Sequence, residues 1–289
     1  IFLVLVQNVY ATIVGSLPGS ASVSSSGAAN YTIPIDSPPG MNGLSPNMAF
    51  VYNSQSGNGL LGKGWHVNGL SSINRCPKVL AKDGIKHGVD FTNRDRLCMN
   101  GLRLVLVSGN NGSDSAYWSS YAEYRTEIES FSKVTRNGQG FHIKSKDGRT
   151  VEYGKTADSV QNVRVSRTGA TPALNWAVNK ITDSSGNTIS YEYHEDIING
   201  EHRIERIIYA DGYASIQFDY TNRQGPIKKY VAGAQLSTLS KLARVTSYSG
   251  TEAVGYFELG YLPYSATPKF PLRLEKITKC DAGNSCLPS

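Results

Sequence analysis

With 289 residues the chain is long enough for one large domain or two ordinary ones, and a composition of 39% hydrophobic against 18% charged residues, rich in aromatic and β-branched types, excludes a disordered chain. The net charge of +6 does not make a nucleic-acid binder, because the densest basic stretches, Lys144 to Arg149 and Lys228-Lys229, are short and the first contains Asp147 as its own counter-charge. No apolar run reaches the roughly 18 residues of a membrane-spanning helix, so the chain is expected not to span a membrane, and 17 Tyr, 29 Gly and 12 Pro against 3 Met favour an all-β protein with many turns.

The chain opens with the apolar run Ile1 to Val6, broken by Gln7-Asn8 and followed by Val9-Tyr10-Ala11. This pattern reads as the back half of a secretory signal peptide with cleavage after Ala11, which implies a secreted protein; a buried first strand is the alternative. From Gly15 to Cys76 Gly and Pro recur every few residues, as in Gly15-Ser-Leu-Pro-Gly19, Pro38-Pro39-Gly40 and Gly57-Asn-Gly59. Each either permits positive φ or fixes φ and removes a donor, so no helix of ordinary length fits, and short alternating runs such as Ala49-Phe-Val-Tyr52 read as strands.

After Cys76 the chain is polar and irregular up to Asp95-Arg-Leu-Cys-Met99, where Asn100-Gly101 leads into Leu102-Arg-Leu104. An Asn-Gly pair between apolar runs predicts a type I′ hairpin, whose two central residues need positive φ. Ser108 to Asp114 is a polar loop, and Tyr121 to Phe131 fits a strand through Tyr124, Thr126 and Ile128 better than a short helix, given its neighbours. From Lys133 a series of hairpins follows. Phe141–Ile143 turns at Asp147-Gly148 into Thr150–Tyr153, and Val178–Thr182 turns into Thr188–Tyr193. Arg203–Tyr209 turns at Asp211-Gly212 into Ala214–Tyr220, and Leu242–Tyr248 turns at Ser249-Gly250 into Val254–Tyr261. A last strand covers Leu272–Thr278, and Gly225-Pro226 to Leu239 reads as a loop-like insertion that spoils the repeat. Second strands end in Tyr, with Ile189, Tyr191 and Tyr193 on one face and Ile216, Phe218 and Tyr220 likewise. A lone hairpin cannot bury its apolar face, so these units must stack or curl into a larger sheet.

Four cysteines, Cys76, Cys98, Cys280 and Cys286, are disulfide candidates in an exported chain, with three possible pairings. The turn-rich Asp281 to Ser285 would let Cys280 meet Cys286 and leave Cys76 for Cys98; the spacings lack a zinc knuckle. His194-Glu195-Asp196 with His202 has metal-ligand residue types but lies in a charged loop, so no metal or cofactor is expected. His66, His87 and His142 have no nucleophile-elbow pattern to serve. Gly57-Asn-Gly59 and Gly62-Lys-Gly64 lack phosphate-loop spacing, and Trp65 reads as a packing anchor.

The runs from Gly15 to Gly40, from Tyr52 to Trp65 and from Gly69 to Cys76 together resemble the amino-terminal region of the SpvB family, which includes plasmid-virulence protein B and the B components of insecticidal toxin complexes, relatives of the Rhs/YD-repeat proteins. The resemblance is strong over residues 15 to 105 and looser beyond. It implies that the hairpins wind into a curled sheet of Rhs/toxin-complex shell type. It also implies a non-enzymatic structural part of a bacterial toxin-carrier or translocation protein, whose partner is an Rhs-type toxin C component or a downstream toxin region of the same chain. Longer members can carry an ADP-ribosyltransferase domain; here Thr246 to Glu252 offers Ser, Thr and Glu, but Val254 stands where a second acid is needed. The expected organisation is a signal remnant over 1–14, a Gly/Pro-rich module over 15–132 and Tyr-rich hairpins over 133–289. An exported adhesin or carbohydrate-binding β-module, or a delivery module preceding an enzyme domain, is the alternative.

Overall fold

The computed structural model describes residues 15–107, 113–263 and 271–287; the opening apolar run and residues 108–112 of the polar loop lie outside them. Among the described residues the regular structure is almost all strand. An amino-terminal layer comprises β1 (Ser20–Val23), β2 (Ala29–Pro34), β3 (Ala49–Asn53), β4 (Asn58–Gly59), β5 (Gly62–Lys63) and β6 (Trp65–Asn68). β1, β2, β3 and β6 form one antiparallel sheet in that order, and β4 pairs with β5 alone.

The middle of the chain supplies β7 (Ser72–Cys76), α1 (Leu80–Asp83), β8 (Arg96–Met99), β9 (Leu102–Leu106), α2 (Asp114–Tyr117), β10 (Glu123–Thr126), β11 (Lys133–Asn137), β12 (Gly140–Lys144), β13 (Thr150–Tyr153), β14 (Val160–Asn162) and β15 (Ala173–Thr182). The expected strand through Tyr124 and Thr126 is observed but ends at Thr126, leaving Ile128 outside it and exposed, and the Asn100-Gly101 hairpin is present with φ of 49° and 85° at the two turn residues. Successive strands pair antiparallel from β7 to β13, and β15 then pairs with β7 through Asn175–Ala177 and with β13 through Val178–Thr182. The seven strands β7 to β13 plus β15 therefore close a ring of eight. A ring of that size has an interior just wide enough for side chains. Here Ile73, Leu97, Leu104, Tyr124, Val134 and Phe141 fill it, each at 1% exposure or less. Trp176 stands edge-on to Phe141, ring centroids 5.3 Å apart. Gly154, at φ 62°, lies so close under Trp176 that a Cβ would meet the indole at 2.3 Å.

α2 presses Tyr117 into the β8–β9 hairpin. Its hydroxyl accepts from Leu97 N and donates to Leu104 O, inserting where the direct ladder stops at Cys98↔Arg103. Beside it Trp118 donates from Nε1 to Asp95 O, and the Arg75 guanidinium lies 4.4 Å over the Trp118 ring. Arg75 also pairs at 2.9 Å with Asp95, whose side chain is wholly buried and accepts from the backbone N–H of Asp90 and Phe91. Burial pushes the Asp95 carboxyl up and the Arg75 guanidinium down, against the opposing pull of their own ion pair.

At β15 the sheet branches. β16 (Thr188–Asp196), β17 (Glu201–Tyr209), β18 (Ala214–Val231), β19 (Ala234–Ser249), β20 (Glu252–Tyr261) and β21 (Leu274–Asp281) continue from it in order as an open, antiparallel run, completing a curled sheet of 15 strands. The hairpins expected from the Gly turns are all present. The segment Gly225–Leu239 differs from the sequence expectation. It is the outer half of a long hairpin, paired from Ile227↔Thr238 to Val231↔Ala234 around a turn at Ala232-Gly233. The irregularity that disguised it is a bulge between Asn222 and Ile227, where Pro226 has no N–H to give a ladder.

The amino-terminal layer covers one face of the open run. Phe50 of β3 meets Phe257 of β20 edge-on at 5.5 Å. Tyr209 and Ser247 donate to the carbonyls of Pro38 and Asp36 at 2.8 and 2.6 Å. Lys63 N donates to Leu272 O at 2.8 Å, and Gly62 at φ 89° permits this approach, since a Cβ would sit 2.5 Å from that oxygen. The recurrent Gly and Pro of residues 35–64 thus shape a strap that crosses the sheet through backbone contacts.

Candidate functional site

In this sheet the hydroxyls of the hairpin-ending tyrosines carry a repeated role. Tyr193 donates to Val178 O at 2.7 Å, Tyr220 to Ile204 O at 2.8 Å and Tyr261 to Leu242 O at 2.6 Å. Each joins one strand to the backbone of the strand before it. Burial pushes all three phenols well above their ordinary value, so they remain neutral donors at any physiological pH. The unequal sequence spacing of these tyrosines comes from the long β18–β19 hairpin and leaves the geometric device unchanged.

Cys76 is bonded to Cys98 and Cys280 to Cys286, with Cα separations of 5.9 and 3.9 Å. The first joins β7 to β8, two neighbouring strands of the ring. The second folds the chain end back along the outer edge of β21, where Leu287 N donates to Lys279 O at 2.8 Å. Asp281 Oδ1 accepts from Ser285 N and closes that turn. A cleft of about 630 Å³ lies beside it, between Pro38-Pro39 and the ends of β19 to β21, with Tyr256 and Lys279 in its wall.

The residues with metal-ligand chemistry do not converge. His194, Glu195 and Asp196 lie in the last residues of β16 rather than in a loop, and each has a structural partner. Glu195 accepts from Asn162 N and Nδ2 at 2.6 and 2.9 Å, Asp196 caps the turn at Ile198 N and Asn199 N, and His194 faces Glu205 at 3.7 Å. His202 stacks on Tyr193 at 4.8 Å and its Nε2 lies 2.8 Å from Asp158 O; burial holds its pKa below the ordinary value. Among the described residues no group of three or more His, Cys, Asp or Glu is placed to hold a metal ion.

The other candidates are likewise dispersed. His66 is on β6, His87 faces Asp90 at 3.7 Å and His142 faces its cross-strand neighbour Glu152 at 3.3 Å. Ser247 is committed to Asp36 O, while Glu252 begins the next strand. Lys63 Nζ donates from β5 to Ser56 O, just before β4, at 2.7 Å. Trp65 is half-buried against Tyr52, ring centroids 5.4 Å apart. The contacts shown tie neighbouring strands into one sheet and lay the amino-terminal strap over one face of it.

An eight-stranded ring that opens into a run of tyrosine-tied hairpins defines a curled-sheet, shell-type β-protein. The family described as Salmonella virulence plasmid 65kDa B protein, SpvB, matches residues 23–224, and the chain belongs to that family. The solved N-terminal domain of effector protein SpvB from Salmonella typhimurium strain LT2 is 16% identical, with a TM-score of 0.66 over 86% of this chain and 98% of that one. TcdB2-TccC3 is 17% identical, with a TM-score of 0.74 over 96% of this chain. The Photorhabdus luminescens Tc holotoxin pore is 17% identical, with a TM-score of 0.71 over 97% of this chain. This chain spans 16% of the length of each of those two. At such identities the likeness is one of fold. No curated protein sequence matches the chain.

Proposed function

We propose that this chain is a non-enzymatic wall segment of a bacterial toxin carrier, helping to build a β-shell that encloses or presents a toxin region. The observation that supports it most is the branch at β15, where one strand closes a ring with β7 and β13 and also launches the open run β16 to β21. A closed ring has no edge, and the run that leaves it is paired strand to strand by backbone ladders, with tyrosine hydroxyls bridging β15–β16, β17–β18 and β19–β20, which suits a continuous barrier. The partner in this reading is an Rhs-type toxin C component or a toxin region further along the same chain, and the protein is exported. In keeping with export, all four cysteines are paired as disulfides.

The adhesin alternative would need exposed Tyr and Trp in a groove; Tyr121, Tyr213 and Tyr230 are exposed, but the indoles are not free to join them. Trp118 and Trp176 are buried and Trp65 packs on Tyr52, so the indoles do not form an open sugar platform. Protease protection tests the proposal. In the full-length gene product with its toxin region, we expect that region to resist digestion until the shell is opened at acid pH or by denaturant. Digestion of the toxin region at the same rate with and without the shell would refute it.

A further inference from the structure

The Cys76–Cys98 disulfide lies on the outer face of the ring. Leu97 and Leu104 point into the packed interior, so Cys98 and its cross-strand neighbour Arg103 point outward together. The two sulfurs differ in their surroundings. Cys76 is 7% exposed, whereas Cys98 is half-buried. Arg103, itself buried, donates from Nη1 to Cys76 Sγ at 3.5 Å and to Pro77 O at 2.7 Å. A neutral disulfide sulfur is a weak acceptor, so a buried guanidinium set against it is matched better to a thiolate.

The charges around that sulfur point the same way. Arg96 and Arg103 both bind Asp83, while Arg96 and the buried Lys78 both bind Asp114, at 2.9 and 2.8 Å. Three cations thus share two carboxylates, which leaves the cluster one negative charge short. The neighbouring Lys82–Glu127 and Arg94–Asp90 pairs are each balanced within themselves. A thiolate at Cys76 would supply the missing charge.

We propose that Cys98 is an S-thiolation site for small-molecule thiols, with Cys76 as the leaving group held by Arg103. An incoming thiolate forms a new S–S bond to Cys98 Sγ. The Cys76–Cys98 bond breaks, and its electron pair passes to Cys76 Sγ, beside the guanidinium. A second thiolate then attacks the thiol-derived sulfur of the mixed disulfide and releases Cys98. Two thiols are oxidised to one disulfide, the cysteine pair is reduced, and protons exchange with solvent. Access and leaving-group stability decide which sulfur is attacked, and here both favour Cys98. Opening removes the covalent link between β8 and β7, the strand that meets β15 to close the ring. The inference stands on the disulfide and its charged cover and does not rest on the shell reading.

The intact chain, folded and with both disulfides formed, is incubated with reduced glutathione, quenched at early times with N-ethylmaleimide and mapped by peptide mass spectrometry. We expect singly opened molecules to carry glutathione on Cys98 and maleimide on Cys76, about fivefold or more over the reverse. R103M should slow the opening about tenfold, and R103K should restore part of the rate. A ring merely loosened by the substitution would open faster, so the sign separates leaving-group stabilisation from a structural role. Should R103M fail to fold, the adduct distribution in the unsubstituted chain decides alone. Glutathione spread equally over the two cysteines or chiefly on Cys76 would overturn the proposal. So would an R103M rate that is unchanged or faster, or opening that requires enough denaturant to unfold the chain.

Discussion

The closed ring and the open run are made of the same hairpins yet solve the edge problem in opposite ways. The ring satisfies its edges by pairing β15 with both β7 and β13 and packs an aromatic interior around Trp176. The open run keeps its strands in line with tyrosine hydroxyls, lays the amino-terminal strap over one face and folds a disulfide-closed turn along part of its last edge. Stability in the ring should therefore be concentrated in a few buried groups, whereas in the open run it should be spread over many modest contacts.

Asp95 should give the largest single effect. Replacing it by Ala strands the Arg75 guanidinium and two backbone donors, and urea unfolding should show a loss of about 3–5 kcal/mol. A loss below about 1 kcal/mol, the level of an exposed pair, would break the contrast. Next come the disulfides. Loop closure over 22 residues at Cys76–Cys98 should contribute about 3 kcal/mol, and over 6 residues at Cys280–Cys286 about 2 kcal/mol, when each pair is replaced by Ala and compared by denaturation. Tyr→Phe at Tyr193, Tyr220 or Tyr261 should each cost about 1 kcal/mol. The triple variant should lose close to the sum if the ties act independently; hydrogen exchange should localise the loosening to β16–β20.

The smallest effect concerns pH. Burial holds His202 below its ordinary value of 6.5, so the folded state prefers the neutral ring. As pH falls below about 6.5 the unfolded chain takes up a proton that the folded chain refuses, so stability declines until the folded pKa is passed. Above that window His202 contributes no slope. H202Q should flatten the decline in unfolding free energy across this window, and an unchanged slope would assign it to other groups.

Much of this was legible in the chain. Asn100-Gly101 and Asp211-Gly212 mark turns because positive φ is needed there, and the Ile-x-Tyr-x-Tyr alternation at residues 189–193 marks a buried face. Ring closure was not legible, because it depends on β15 meeting β7 about a hundred residues earlier and β13 about thirty residues earlier, and no local pattern encodes such pairings. Pro226 hid a hairpin arm by interrupting its ladder. The His194 to His202 cluster showed the converse, since residues close in sequence were taken one by one by separate partners.

The most direct test is single-particle electron microscopy of the full-length gene product with its toxin region. The account predicts a hollow body in which the ring and the run from β16 to β21 form part of one continuous wall, with the toxin region inside or held against it. A solid particle, or these 289 residues standing apart as a separate lobe on a flexible tether, would contradict it.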